Sequence, residues 1–149
     1  MSVWRFVEEL VDDRRLFASE EVKEEASNPE LVDLFTRKPE MVVDLASVQL
    51  YVNRFIIESA QAGLLLNDPN NPDKNRADPF VITVALALEM RRLDNLLART
   101  NAAAKCMVIC YENRAGQGAR LPKIPNVCDH FDLECVDWPW VLANEGITM

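Results

Sequence analysis

Apolar positions recur along this chain at helical spacing in its first half and in short unbroken runs in its second. Val3, Trp4, Val7, Leu10 and Val11 predict an amphipathic helix over residues 2–15. Leu16-Phe17-Ala18 is a short strand candidate. Ser19 is placed to cap a second helix that contains Val22 and Glu25. Pro29 opens a third, reaching about Lys38, and Pro39 opens a fourth and longer one. In that fourth helix Met41, Leu45, Val48, Val52 and Phe55 repeat at spacings of four and three, an apolar stripe for a core or a subunit interface. It is expected to end near Ala62-Gly63.

Residues 64–77 contain Asn-Asp-Pro-Asn-Asn-Pro-Asp and predict a long loop. Asp78 then reads as an N-cap, with Pro79 at the first helical position, where its missing N–H costs nothing. The helix behind it, to about Ala98, is apolar on nearly every side and is expected to be buried. Cys106-Met107-Val108-Ile109-Cys110 is a continuous apolar run, as in a strand covered on both faces. Residues 111–121 hold Gly116-Gln117-Gly118 and predict a loop. A helix over Ile124 to Phe131, a strand over Leu133 to Val136 and a helix from Trp138 to Glu145 complete the chain. The second half thus alternates helix and strand, which predicts an α/β fold with a short parallel sheet flanked by helices. The strands are fewer than such a sheet normally has.

Composition narrows the function classes. A chain of 149 residues with 49% apolar content fits one domain with a substantial core. It has neither the long apolar run of a membrane span nor a signal-peptide pattern, and its simplest setting is the cytoplasm. Cys106, Cys110, Cys128 and Cys135 form no C-x-x-C pair, which argues against zinc. Cys106, Cys110 and Cys135 sit in apolar runs and read as small core residues. A net charge of −8 excludes a general nucleic-acid coating protein. The charge is nonetheless uneven. From Arg91 to Lys123 the basic residues Arg91, Arg92, Arg99, Lys105, Arg114, Arg120 and Lys123 outnumber Asp94 and Glu112. That stretch reads either as a solvated face or as a local rim for phosphate.

Carboxylates supply the candidate chemistry. Parallel sheets bind ligands beyond the carboxyl ends of their strands. Glu112 lies just past the 106–110 strand, Asp78 opens the helix leading into it, and Glu25 lies in the helix after the 16–18 strand. Three acids on three elements suit a hard cation such as Mg²⁺, which takes a few carboxylates together with waters and substrate phosphates.

At these residues the chain resembles a family. Ser2-Val3-Trp4 with Glu8-Glu9-Leu10, Glu21-Val22-Lys23-Glu24-Glu25, Ala77-Asp78-Pro79-Phe80-Val81-Ile82, Val108-Ile109-Cys110-Tyr111-Glu112 and Lys123-Ile124-Pro125-Asn126-Val127-Cys128 follow, in order, the pattern of PIN-domain proteins. That is the fold of the VapC-type toxin ribonucleases, and the likeness is greatest to a PIN-like family of unknown function. It implies a three-layer fold and a metal-dependent endoribonuclease using Mg²⁺ or Mn²⁺. Glu25, Asp78 and Glu112 match the family's acids, and would be both metal ligands and catalytic residues. Arg114 or Lys123 would contact RNA phosphate. The chain departs from the pattern in two places. Cys110 stands where the family has a threonine, and the buried first strand with its Asp-Thr-Asn is missing. That strand is central to the family's sheet, so a truncated chain, or a strand supplied by another chain, is expected.

Plainer readings stand beside these. Capping accounts for Asp78, solvation among Glu20, Glu21 and Glu24 for Glu25, and a loop charge next to Arg114 for Glu112. His130 reads as a surface residue, and Trp138-Pro139-Trp140 as a helix start packed on the core. The alternative function is a catalytically inactive PIN-like remnant that binds a protein partner. An RNA substrate and an antitoxin protein are the implied partners. A homodimer is expected under either function, because an unpaired strand edge invites association.

Overall fold

A computed structural model describes residues 2–64, 77–98, 106–112, 116 and 122–147. Helix α1 (Val3–Asp12) starts at Ser2, whose Oγ accepts the N–H of Arg5, and buries Phe6, Val7, Leu10 and Val11. Strand β1 (Ala18–Ser19) leads directly into α2 (Glu20–Glu25), with Ser19 Oγ accepting the N–H of Val22. Helix α3 (Pro29–Arg37) is capped by Asn28, whose Oδ1 takes the N–H groups of Glu30 and Leu31.

Beyond α3 the structure corrects the expectation of one long helix from Pro39. Pro39–Met41 makes a single 3₁₀ turn, Val42–Val43 form strand β2, and α4 (Leu45–Gln61) begins only after Asp44. The cause is local. Two adjacent β-branched residues pair with β1, and Asp44 accepts the N–H of Ala46 as a fresh cap. The first strand is also shifted from 16–18 to Ala18–Ser19. Helix α5 (Asp78–Ala98), strand β3 (Met107–Ile109), helix α6 (Ile124–His130), strand β4 (Glu134–Val136) and helix α7 (Trp138–Asn144) lie close to their expected places. The loops expected over 64–77 and 111–121 fall largely outside the described residues, as do Arg99, Lys105, Arg114 and Arg120.

The fold is α/β and mostly helical, with its described strands in two parallel pairs. β1 pairs with β2 in the register Ala18 to Val42, and β3 with β4 in the register Val108 to Cys135. Helix α5 packs against both β1 and β3, and so lies across the two pairs. Its first half is buried on every side: Ile82, Thr83, Val84 and Ala85 are successive residues and all inside, with Ala87. Successive buried positions on a helix point to every side, as its composition predicts. The one polar member, Thr83, donates its hydroxyl to the Pro79 carbonyl at 2.8 Å.

Two apolar clusters correspond to the two pairs. Ile82 and Ala85 join Phe55, Val108, Ile124, Val127, Cys128 and Leu133 beside β3 and β4. Val7, Val11, Leu34, Phe35 and Met41 pack around β1 and β2, with Trp138 against them. Val48, Val52 and Phe55 are core residues of α4, as their spacing predicts, and Met41 is buried from the 3₁₀ turn before it. The cysteines differ from expectation. Cys128 is the sealed one, at 0% exposure, whereas Cys106, Cys110 and Cys135 are half-buried, lying at strand ends and edges. No helix among the described residues is long and apolar enough to cross a membrane.

Candidate functional site

The N-terminus of α5 is the centre of the site. The Ala77 carbonyl accepts the N–H groups of Phe80 and Val81, so Ala77 occupies the cap position. Asp78 is therefore the first helical residue and Pro79 the second, so the helix begins one residue earlier than the sequence predicts. That shift matters for the chemistry. A cap aspartate folds back on its own helix, whereas an aspartate at the first helical position has its carboxylate available for something else.

Glu25 and Glu112 reach this point from opposite strand pairs. Glu25 ends α2, six residues after β1, and its Oε1 accepts the N–H of Ala77 at 3.1 Å. A contact spanning 52 positions of sequence thus ties the end of α2 to the start of α5. Glu112 lies three residues beyond β3. Its Oε2 accepts the N–H of Ile124, the first residue of α6, at 3.1 Å. Its Oε1 faces Lys123 Nζ at 3.4 Å.

Electrostatics shows the convergence. The Asp78 carboxyl is pushed up from 3.8 to about 6. Burial is the largest cause; the negative charges of Glu112 and then Glu25 add to it, and Lys123 opposes them. The three acids singled out in the sequence therefore share one neighbourhood, with Lys123 as its cation. Lys123 is held there beside Glu112, 3.4 Å from its carboxylate. Arg114, the other expected phosphate contact, lies outside the described residues.

A half-buried aspartate whose proton affinity burial and two neighbouring carboxylates raise is a donor that a hard divalent cation would relieve, and an all-oxygen acid set suits Mg²⁺ or Mn²⁺. Their placement is looser than a closed ligand cage. Among the described residues, no three His, Cys, Asp or Glu side chains stand as a group able to grip a metal ion. Glu25 and Glu112 are each turned onto a backbone N–H, so closing on a cation means exchanging those bonds.

Two features escaped the sequence. Glu21, one helical turn before Glu25, is buried at 8% exposure, although it sits in a run of acids that reads as solvated. Its place in the first turn of α2, where the helix dipole favours negative charge, is the signal that marks it. Separately, a cavity of about 520 Å³ opens between α4, α5 and α6, lined by Tyr51, Arg54, Glu58, His130 and Asp132. None of the three acids borders it. His130 is exposed, as expected of a surface residue.

Over residues 1–149 the chain matches the family described as a domain of unknown function (DUF4411), and it belongs to that family. Neither the curated proteins nor the solved structures give a match.

Proposed function

We propose that this protein is a metal-dependent endoribonuclease of PIN type, with Glu25, Asp78 and Glu112 holding Mg²⁺ or Mn²⁺. The observation that carries the proposal is the state of Asp78. It is half-buried at the mouth of an enclosed helix, and its proton affinity is raised by acids from two other elements. Perturbed carboxylates of this sort concentrate at functional sites. A bound cation would supply an activated water and neutralise charge on the scissile phosphate. The chain's own part is positional. Glu25 fixes the start of α5, Glu112 bridges β3 to α6, and Lys123 sets a positive charge beside both Glu112 and Asp78. That leaves Lys123 able to receive a phosphate oxygen when Glu112 turns toward the cation.

The test is cleavage of a single-stranded RNA by the purified chain. Cutting is expected with Mn²⁺, is expected to stop with chelator, and is expected to fall at least about a thousandfold in Asp78→Asn, in line with removal of a group acting on the transition state. Equal cutting by wild type and Asp78→Asn would sink the proposal.

A second reading has its own observation. Among the described residues the parallel strands stand as two pairs, neither extended by a third strand, and α5 lies across both. This supports a PIN-like interaction module that accepts an extended segment as an added strand, and that acts through a protein partner such as an antitoxin or a second copy. Under this reading no RNA is cut with any metal, and a bound strand protects the β1 and β3 amides from hydrogen exchange. RNA cleavage by the chain alone rules it out.

A further inference from the structure

The β3–β4 pair carries chemistry that the acid site does not use. Cys110 and Cys135 bring their sulfurs to 2.9 Å from each other. Strand alternation accounts for the meeting. Val108 pairs with Cys135, and Cys110, two residues beyond Val108, points to the same face. The Cys110 N–H donates to the Val136 carbonyl at 2.9 Å, so the ladder holds both backbones in place past the end of β3. Both residues are half-buried, while Cys128, which also touches Cys135, is sealed in the core.

We infer that Cys110 and Cys135 form a reversible intrachain disulfide, making the end of β3 a redox modification site. Sulfurs in a disulfide lie about 2.05 Å apart, so the bond asks for an approach of less than about 1 Å. The oxidant class is a hydroperoxide. The Cys110 sulfur attacks the peroxide oxygen, and its proton passes to the departing alkoxide. The O–O bond breaks, the alcohol leaves, and Cys110 becomes a sulfenic acid. The Cys135 sulfur then attacks the Cys110 sulfur; the S–O bond breaks, and the departing hydroxide takes the Cys135 proton as water. Two thiols and one hydroperoxide give one disulfide, one alcohol and one water, with two electrons passing from sulfur to oxygen.

The order of attack follows from the surroundings. Burial, then the contacts with Cys110 and Cys128, raise the Cys135 pKa and keep it a thiol, which suits it to the second, resolving step. The bond has a structural consequence. The Cys110 sulfur lies 4.0 Å from the Glu112 carbonyl, so the linkage anchors to β4 the turn that carries Glu112. The inference stands whether or not the acids bind metal.

The full-length chain, treated with hydrogen peroxide, alkylated and digested, provides the test. A Cys110–Cys135 linked peptide is expected, reversible by dithiothreitol and absent from both Cys110→Ser and Cys135→Ser. Cys106→Ser is expected to retain it. Oxidation of Cys135 in Cys110→Ser is expected to slow at least tenfold. Four alkylatable thiols after treatment of the wild type, a bond mapped to Cys128 or Cys106, or a link between chains would each overturn the inference.

Discussion

Asp78 is held in a state that costs the fold stability. Its carboxyl titrates near 6 in the folded chain against 3.8 ordinarily, so the folded state binds the proton more tightly than the unfolded one. The sign is fixed by that order. Below about pH 3 the group is protonated in both states and exacts nothing; the penalty grows between about pH 4 and 6 and is complete by about pH 7. After discounting for its solvent-exposed half, the penalty is about 1–2 kcal/mol. Asp78→Asn is therefore expected to be more stable than wild type by that amount at pH 7.5 in metal-free buffer, and equal to it at about pH 3. Urea unfolding at the two pH values measures this, and a destabilised variant at pH 7.5 would contradict the reading of the site. Ser59 makes a second case. Its hydroxyl is fully buried in α4 and has no hydrogen-bond partner among the described residues. Ser59→Ala removes a desolvated group and improves helix propensity, so it is expected to raise stability by about 1 kcal/mol, read from the urea midpoint.

At the scale of elements, most helices were legible from their apolar spacing and from the prolines and the Ser19 cap at their starts, α4 being the exception because its cap Asp44 sits inside the apolar stripe. Ser2, Ser19, Asn28 and Asp137 all cap the helices they precede. The strands were less legible. Val42-Val43 is only two residues long and sits inside an apolar stripe that reads as helix; its pairing with β1 is decided by contact with residues more than twenty positions earlier. The cap at Asp78 was misplaced by one residue for a similar reason. Glu25, remote in sequence, takes the N–H of Ala77 and allows an alanine to fill the cap position. Helix α2 has the least support, being six residues long with Ser19 as its cap, yet it carries Glu25. Ser19→Ala is expected to cost about 1 kcal/mol and to loosen Glu25 from Ala77. Amide exchange follows the second effect directly: the Ala77 N–H loses protection in the variant.

Across the whole molecule, the acids of the site were legible as a set only through their order along the chain and the family resemblance; no single one of them announces the site. Glu25 lies in a run of like charges, Glu112 is a lone loop acid, and Asp78 has a local explanation; only their order along the chain suggested a set. Folding supplies the rest by laying α5 across both strand pairs, which brings the end of α2 and the turn after β3 to one helix mouth. The split of the strands was not legible: the scarcity of strands reads as one short parallel sheet lacking its first strand, whereas the described strands stand as two separate pairs. The central claim is that the three acids act together on one divalent cation. Calorimetric titration of the full chain with Mn²⁺ at pH 7.5 addresses it most directly. One binding event per chain is expected in wild type, weakened at least about a hundredfold in Asp78→Asn and in Glu112→Gln, a loss of about 2.7 kcal/mol. Mn²⁺ binding that is absent from wild type, or unchanged in both variants, would contradict the claim.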